Sequence, residues 1–64
     1  GREYKSFSLI RKKMAKGCEP EEIADILEED LGYVQEVYKF LESQMDRSEE
    51  ASWDRWRENK AGEK

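Results

Sequence analysis

The apolar residues of this chain recur at intervals of three and four in three successive stretches, the spacing of amphipathic α-helices. The first stretch predicts a helix over residues 2–16. Gly17 ends it, because glycine readily adopts the left-handed conformation that commonly follows a last turn. The second stretch predicts a helix over residues 20–29, opened by Pro20, whose missing N–H costs nothing at the first helical position.

A third helix is predicted over residues 31–45, with Asp30 as its N-cap. We therefore expect an all-α fold in which residues 1–47 form three helices with a helix-turn-helix-like core. Residues 48–64 form a C-terminal extension. Its early acids and late bases suit the helix dipole, so it forms a fourth helix if Ser48 caps it.

One small hydrophobic core is expected from these helical faces. Its predicted members are Phe7, Ile10, Met14, Ile23, Ile26, Leu27, Val34, Tyr38 and Leu41. A core in so short a chain rarely contributes more than about 3–5 kcal/mol. One cysteine and no histidine exclude an internal disulfide and a cysteine/histidine zinc site as additional stabilisation. The remaining source of additional stabilisation is a partner chain, which is a first indication of oligomerisation.

The third helix has a wider apolar surface than packing on one side requires. Its apolar positions spread over roughly 160° of the helix, whereas a one-sided stripe typically covers about 100°. Tyr33, Val37 and Phe40 form the outer part, an apolar shoulder that two short helices need not cover. Either helix 1 or the extension covers this shoulder, or it is an interface with another chain.

Two tryptophans stand out in the otherwise polar extension. Trp53 and Trp56 are three residues apart and share one face of a helix. They either fold back onto the core, which we favour slightly, or anchor a partner. The candidate interface residues are thus Tyr33, Val37, Phe40, Trp53 and Trp56. Residues 61–64 are expected to fray.

Charge is strongly segregated along the chain, although the net charge is only −4. Residues 1–17 carry six basic and one acidic residue, residues 18–36 carry eight acidic and no basic residues, and residues 37–64 are nearly balanced. Such segregation decides which surfaces can meet. Five of the six basic residues share one face of helix 1: Arg2, Lys5, Lys12, Lys13 and Lys16. This face suits phosphate or an acidic protein surface, or it is a solvated helix surface.

The chain contains no recognisable catalytic constellation. It has no histidine for general base catalysis and no glycine-rich phosphate loop. The acids of residues 28–32 lack the spacing of a calcium loop. Cys18 lies among three carboxylates, which do not favour a reactive thiolate. We therefore predict that the protein is not an enzyme and binds no metal or cofactor.

No apolar run approaches the length of a membrane span, and no charged-then-apolar leader opens the sequence. These features predict a cytoplasmic protein without a membrane partner.

The pattern from Ile23 through Val37 matches a helix-turn-helix unit, which makes DNA binding an alternative function. However, Glu19, Glu21 and Glu22 would face the phosphates, where a DNA-binding protein needs cations. The same charge segregation favours association with protein over DNA, because the basic helix 1 of one copy can lie against the acidic helix 2 of another. We therefore expect a homodimer, or binding to another protein chain, in preference to DNA.

Three segments carry a family resemblance: LIRKKMAKG at 9–17, PEEIADILEED at 20–30, and Val34-x-x-Val37-Tyr38. They resemble the C-terminal tail of bacterial Rpn-like PD-(D/E)XK nuclease and transposase-like proteins, over roughly residues 7–41. The resemblance implies a bacterial, cytosolic protein whose catalytic domain lies upstream of this tail. It also implies an accessory or regulatory association role. No catalytic residue carries over, and the part beyond Ser48 has no counterpart in the family pattern.

Overall fold

The computed structural model describes the backbone of residues 2–62 and the side chains of residues 4–60. It is all-α, as predicted, with no strand in the described backbone. The four helices are α1 (Arg2–Ala15), α2 (Pro20–Leu27), α3 (Leu31–Glu42) and α4 (Glu49–Gly62). The packing of α2 on α3 is compatible with the predicted helix-turn-helix-like unit. Of the end expected to fray, residues 63–64 lie outside the described residues.

Left-handed residues end the first two helices. Gly17 follows α1 with a φ of 88°, and its N–H donates to the Met14 carbonyl at 2.9 Å. Glu28 follows α2 with a φ of 55°. The next N–H, that of Glu29, reaches back to the Ala24 carbonyl at 3.0 Å. This bond belongs to the Schellman pattern, in which glycine usually takes the left-handed position. The second helix consequently ends two residues earlier than its predicted limit.

The predicted capping residues at the start of α3 and α4 are confirmed. The Tyr33 N–H donates to Asp30 Oδ2 at 3.1 Å, and the Ala51 N–H donates to Ser48 Oγ at 3.1 Å. Each side chain therefore satisfies one backbone donor that the first turn leaves free. The fourth helix, which the sequence left conditional, is present.

Helix α3 ends three residues before its predicted limit. The Ser43 hydroxyl donates to the Phe40 carbonyl at 2.8 Å, and the Gln44 N–H donates to the Leu41 carbonyl at 2.9 Å. These short-range bonds replace the next α-helical ones and let the chain turn. The turn is fixed from two sides: Arg11 of α1 donates to the Arg47 carbonyl at 2.8 Å, and the Ser52 hydroxyl donates to the Gln44 carbonyl at 3.4 Å.

All four helices contribute to one hydrophobic core. Its buried apolar members are Phe7, Ile10, Ile23, Ala24, Val34, Val37, Leu41 and Trp56. Five predicted core residues are among them, and Met14, Leu27 and Tyr38 pack against its edge. The prediction for Ile26 is wrong, because its side chain is 48% exposed. On so short a helix Ile23, Ala24 and Leu27 occupy the inward side, which leaves Ile26 beside the carboxylates.

The contrast between Leu41 and Ile26 gives a direct test of this core. Leu41→Ala should cost about 2–5 kcal/mol, because it leaves a cavity at a fully buried site. Ile26→Ala should change the free energy of unfolding by only about 0.5 kcal/mol, as is usual for exposed positions. Urea unfolding followed by circular dichroism measures both. Equal losses of unfolding free energy in Leu41→Ala and Ile26→Ala would contradict the placement of α2.

The left-handed Glu28 predicts a stabilising substitution. Glu28→Gly should raise the free energy of unfolding by about 0.5–1 kcal/mol, because glycine adopts positive φ without strain. Gly17→Ala should lower it by about 1–2 kcal/mol through strain alone, since an added Cβ would meet no atom within 4 Å. Glu28→Ala is the matched control: it removes the charge and keeps the strained backbone. A gain in the alanine variant as large as in the glycine variant would refute the backbone explanation.

Candidate interaction surface

Three of the four aromatic residues predicted for an interface, Phe40, Trp53 and Trp56, form a cluster with Phe7 inside the protein. Phe7 of α1 lies at its centre. The Phe7 ring centroid is 5.2 Å from that of Trp53, 6.1 Å from Trp56 and 6.5 Å from Phe40. Phe40 and Trp56 are themselves 5.3 Å apart. Edge-to-face and tilted pairs at such distances contribute about 0.5–1.5 kcal/mol each beyond the area that they bury.

The expectation of an uncovered apolar shoulder on α3 is therefore corrected. Val37 has no exposed surface, and Tyr33 and Phe40 are half-buried against the core. Trp56 retains 6% of its surface, and Trp53 is half-buried. The favoured alternative for the tryptophans, folding back onto the core, is confirmed. Helices α1 and α4 cover part of the shoulder. Val37 and Trp56 therefore present almost no surface to a partner, whereas Tyr33, Phe40 and Trp53 keep a partly exposed side.

One ion pair ties the end of α4 to α3. Lys60 Nζ lies 3.3 Å from Glu36 Oε2 and 5.2 Å from the centroid of the Trp56 ring. The lysine thus covers the edge of the buried tryptophan. Because both charged groups are about half exposed, the ion pair contributes at most about 1 kcal/mol.

The predicted basic face of α1 is largely exposed. Lys5, Lys12 and Lys16 are exposed and Lys13 is half-buried; the side chain of Arg2 lies outside the described residues. Leu9 is half-buried on the same face. It lies four residues after Lys5, three before Lys12 and four before Lys13. Residues at these intervals are neighbours on a helix surface. We call Lys5, Leu9, Lys12, Lys13 and Lys16 the basic strip.

The outer side of α2 has the opposite charge. Its exposed side chains are Glu21, Glu22, Asp25, Ile26 and Glu28, which we call the acidic face. Ile26 is an apolar residue within this face, as Leu9 is within the basic strip. The sequence showed that residues 18–36 lack cations, but we assigned Ile26 to the core and gave Leu9 no role on the basic face. The repeated arrangement of one apolar residue among like charges was the missed signal.

The two charged surfaces do not neutralise each other within the chain. Across residues 4–60, no lysine or arginine of α1 comes within 4.0 Å of an α2 carboxylate as an ion pair. The polar contact recorded between α1 and the end of α2 is instead a neutral donor, Ser6 Oγ, bonded to Glu29 Oε2 at 2.9 Å. The charges of both surfaces therefore remain available to groups outside the chain.

A second polar contact joins the first turns of α1 and α4. The Tyr4 hydroxyl donates to Glu49 Oε2 at 2.7 Å. This hydrogen bond lowers the pKa of Glu49, and nearby Lys12 and Arg11 lower it further. The same bond raises the pKa of Tyr4, because ionisation would remove the donated proton and place two negative charges side by side. Glu49 also suits the first turn of α4, where the helix dipole favours a negative charge.

Two open grooves flank α4. One, about 610 Å³, lies between Tyr4 and the α4 side chains Glu50, Trp53, Asp54 and Arg57. The other, about 470 Å³, lies between α3 and α4 and is lined by Glu36, Lys39, Phe40, Trp56, Asn59 and Lys60. Within the described residues, no group of three or more histidine, cysteine or carboxylate side chains is arranged to hold a metal ion.

Comparison of the chain with protein-family models, with curated protein sequences and with solved structures found no match in any of the three. The resemblance of residues 7–41 to the Rpn-like tail therefore rests on the residues that suggested it. None of the helices in the described part of the chain is long and apolar enough to cross a membrane.

The contact between Tyr4 and Glu49 predicts a pH dependence of stability. The lowered pKa of Glu49 stabilises the fold above its unfolded pKa, and this contribution is lost as the pH falls through the folded value. The raised pKa of Tyr4 stabilises the fold below its ordinary value of 10.0, and this contribution is lost as the pH rises through the folded value. Tyr4→Phe should therefore destabilise the protein at neutral pH and lose its effect at both extremes.

Thermal melts of the wild type and Tyr4→Phe across the pH range measure this difference. Tyr38→Phe is the control, because it removes a tyrosine hydroxyl and leaves the Tyr4–Glu49 bond intact. A difference between wild type and Tyr4→Phe that stays constant from acid to alkaline pH would show that the bond does not form.

Proposed function

We propose that this protein is a non-catalytic protein association module. It acts as a homodimer, or as an accessory segment of a larger bacterial protein of the kind that the sequence resembles. One observation carries the proposal: the basic strip of α1 and the acidic face of α2 are both exposed and are not paired with each other within the chain.

The charge pattern favours a protein partner over small ligands. Charged surfaces raise the association rate and set the orientation of two proteins, while apolar residues at the centre of the contact supply affinity. Leu9 lies between Lys5 and Lys12 on the basic strip, and Ile26 lies beside Glu22 and Asp25 on the acidic face. An interface with an apolar centre and a charged rim is the ordinary arrangement between proteins.

DNA is the alternative partner, and the exposed side of α3 argues against it. A recognition helix here would present Gln35, Glu36 and Lys39 to the bases. The acidic face of α2 would lie next to the phosphates and repel them. The basic strip is on a different helix and is the one surface that suits a polyanion.

Light scattering coupled to size exclusion tests the proposal. At high micromolar concentration and roughly 0.05 M salt, we expect a mass above the 7.6 kDa of one chain. At about 1 M salt, where screening acts within about 3 Å, the mass should fall towards that of a monomer. Added duplex DNA should not change the elution. A monomer at both salt concentrations would refute self-association, and co-elution with DNA would favour the alternative.

Charge reversal locates the surface. Lys5→Glu/Lys16→Glu should reduce the mass at low salt, because it removes the positive charge of the basic strip. Arg55→Glu/Arg57→Glu is the matched control: both residues are exposed on α4, and the change in net charge is the same. Circular dichroism melts of both variants establish that they fold. Equal weakening by the two variants would mean that net charge alone governs association.

A further inference from the structure

Helices α1 and α2 lie side by side in opposite directions. The short connection through Gly17 joins the end of α1 to the start of α2. The far end of α2 returns to the first half of α1, where Ser6 Oγ meets Glu29 Oε2 at 2.9 Å. The basic strip and the acidic face are therefore neighbouring stripes on the surface of the molecule, one positive and one negative.

Leu9 and Ile26 lie at the same level along this helix pair. Each is three residues from the bond between Ser6 and Glu29, in the direction of the Gly17 connection. With a rise of about 1.5 Å per residue, Leu9 is about 4–5 Å along α1 from that bond. Ile26 lies in the last turn of α2, just before the left-handed Glu28 that leads to Glu29. Each stripe thus carries its apolar residue at a matching height.

A surface with one positive and one negative stripe is complementary to itself under a single choice of twofold axis. If the axis runs between the stripes, parallel to the helices, the positive stripe of each copy faces the negative stripe of the other. If the axis crosses the stripes, like charges face each other, which is repulsive. Rotation about the favourable axis leaves heights along the helices unchanged. The apolar residue of each stripe therefore meets the apolar residue of the opposite stripe.

We propose, on the basis of the association function above, that the basic strip and the acidic face form one twofold dimer surface. Helix α1 of each copy lies antiparallel to α2 of the other, and Leu9 contacts Ile26 of the partner subunit. The same contact occurs twice, as an isologous interface requires. A heterologous contact between the same stripes would leave one stripe free on each end and produce longer assemblies.

The size of the surface predicts a weak dimer. Helix α1 is about 21 Å long and α2 about 12 Å, and packed helix axes are separated by about 8–10 Å. These dimensions give a face of about 300 Å² on each copy. The total of about 600 Å² is below the range of stable interfaces, so the dimer belongs with transient, salt-sensitive complexes.

A mixing experiment tests the pairing. Lys5→Glu/Lys12→Glu/Lys13→Glu/Lys16→Glu makes both stripes of one variant negative. Glu21→Lys/Glu22→Lys/Asp25→Lys/Glu28→Lys makes both stripes of a second variant positive. Each variant alone should be a monomer, because its stripes repel their counterparts. An equal mixture should form a heterodimer with twice the mass of 7.6 kDa, since every stripe then meets its opposite. Asp54→Lys/Glu58→Lys is the control: it leaves both stripes unchanged, so it should dimerise with itself and leave the first variant monomeric.

Disulfide cross-linking tests the register. In chains carrying Cys18→Ser, Leu9→Cys mixed with Ile26→Cys should give a cross-linked dimer under mild oxidation. Leu9→Cys mixed with Met45→Cys is the control, because Met45 is exposed on the α3–α4 connection. Masses above that of a dimer, or equal cross-linking in the control, would overturn the twofold surface.

The outcomes separate the two proposals. If the wild type associates at low salt but neither the charge-swapped mixture nor the Leu9/Ile26 cross-link forms, association stands and this surface is wrong. If the wild type is a monomer throughout, self-association fails together with the surface. A heterodimer that also cross-links at Leu9 and Ile26 supports both.

Discussion

The fold depends on the aromatic cluster around Phe7. A chain of 64 residues with 36% hydrophobic residues can bury few apolar side chains, and α1 to α3 alone leave the wide apolar side of α3 only partly covered. Trp53 and Trp56 complete the cover, because both indole rings pack against Phe7. Because of these two tryptophans, the otherwise polar C-terminal segment is a structural part of the domain.

The location of this core determines which surfaces remain for other molecules. Once α4 lies on α1 and α3, the aromatic residues face inwards, and the exposed sides of α1 and α2 are those dominated by charge. Leu9 and Ile26 each expose part of one apolar side chain beside like charges. Any association through these surfaces must therefore depend on electrostatic complementarity more than on apolar area, which makes it sensitive to salt.

Local signals in the sequence predicted the elements well. Gly17, Asp30 and Ser48 act within one turn of their own positions, so their roles as terminator and caps follow from residue type. The early ends of α2 and α3 were not predictable in the same way. Glu28 adopts a left-handed conformation that its residue type does not favour, and the Ser43 hydroxyl competes for a carbonyl that the helix would otherwise use. The early ends of both helices depend on the direction that the chain takes into the following helix.

Non-local packing limited the prediction of the site. The width of the apolar side of α3 correctly indicated contacts on two sides, but the identity of the covering element depended on α4, which is distant in sequence. Val37 therefore seemed available and Ile26 seemed buried, and the structure reverses both. The charge segregation survives folding because long charged side chains stay in solvent wherever their helix lies. The packing of α1 on α2, a contact that sequence periodicity does not predict, places the two charged helices next to each other.

In the proposed association, the acidic face would link folding to binding. Glu21 and Asp25, four residues apart, and Glu22 and Asp25, three apart, are like-charge pairs on one helix. Each such pair opposes helix formation by about 0.2–0.5 kcal/mol. In a domain whose core contributes so little, this repulsion is a substantial fraction of the total stability. A partner that brings lysines to this face would relieve the repulsion, and it would bind only the folded chain. A ligand that binds only the folded state raises the apparent stability of a protein as the ligand concentration increases. In the proposed association, the same carboxylates that weaken the isolated domain would thus make its folded state responsive to a partner that neutralises them.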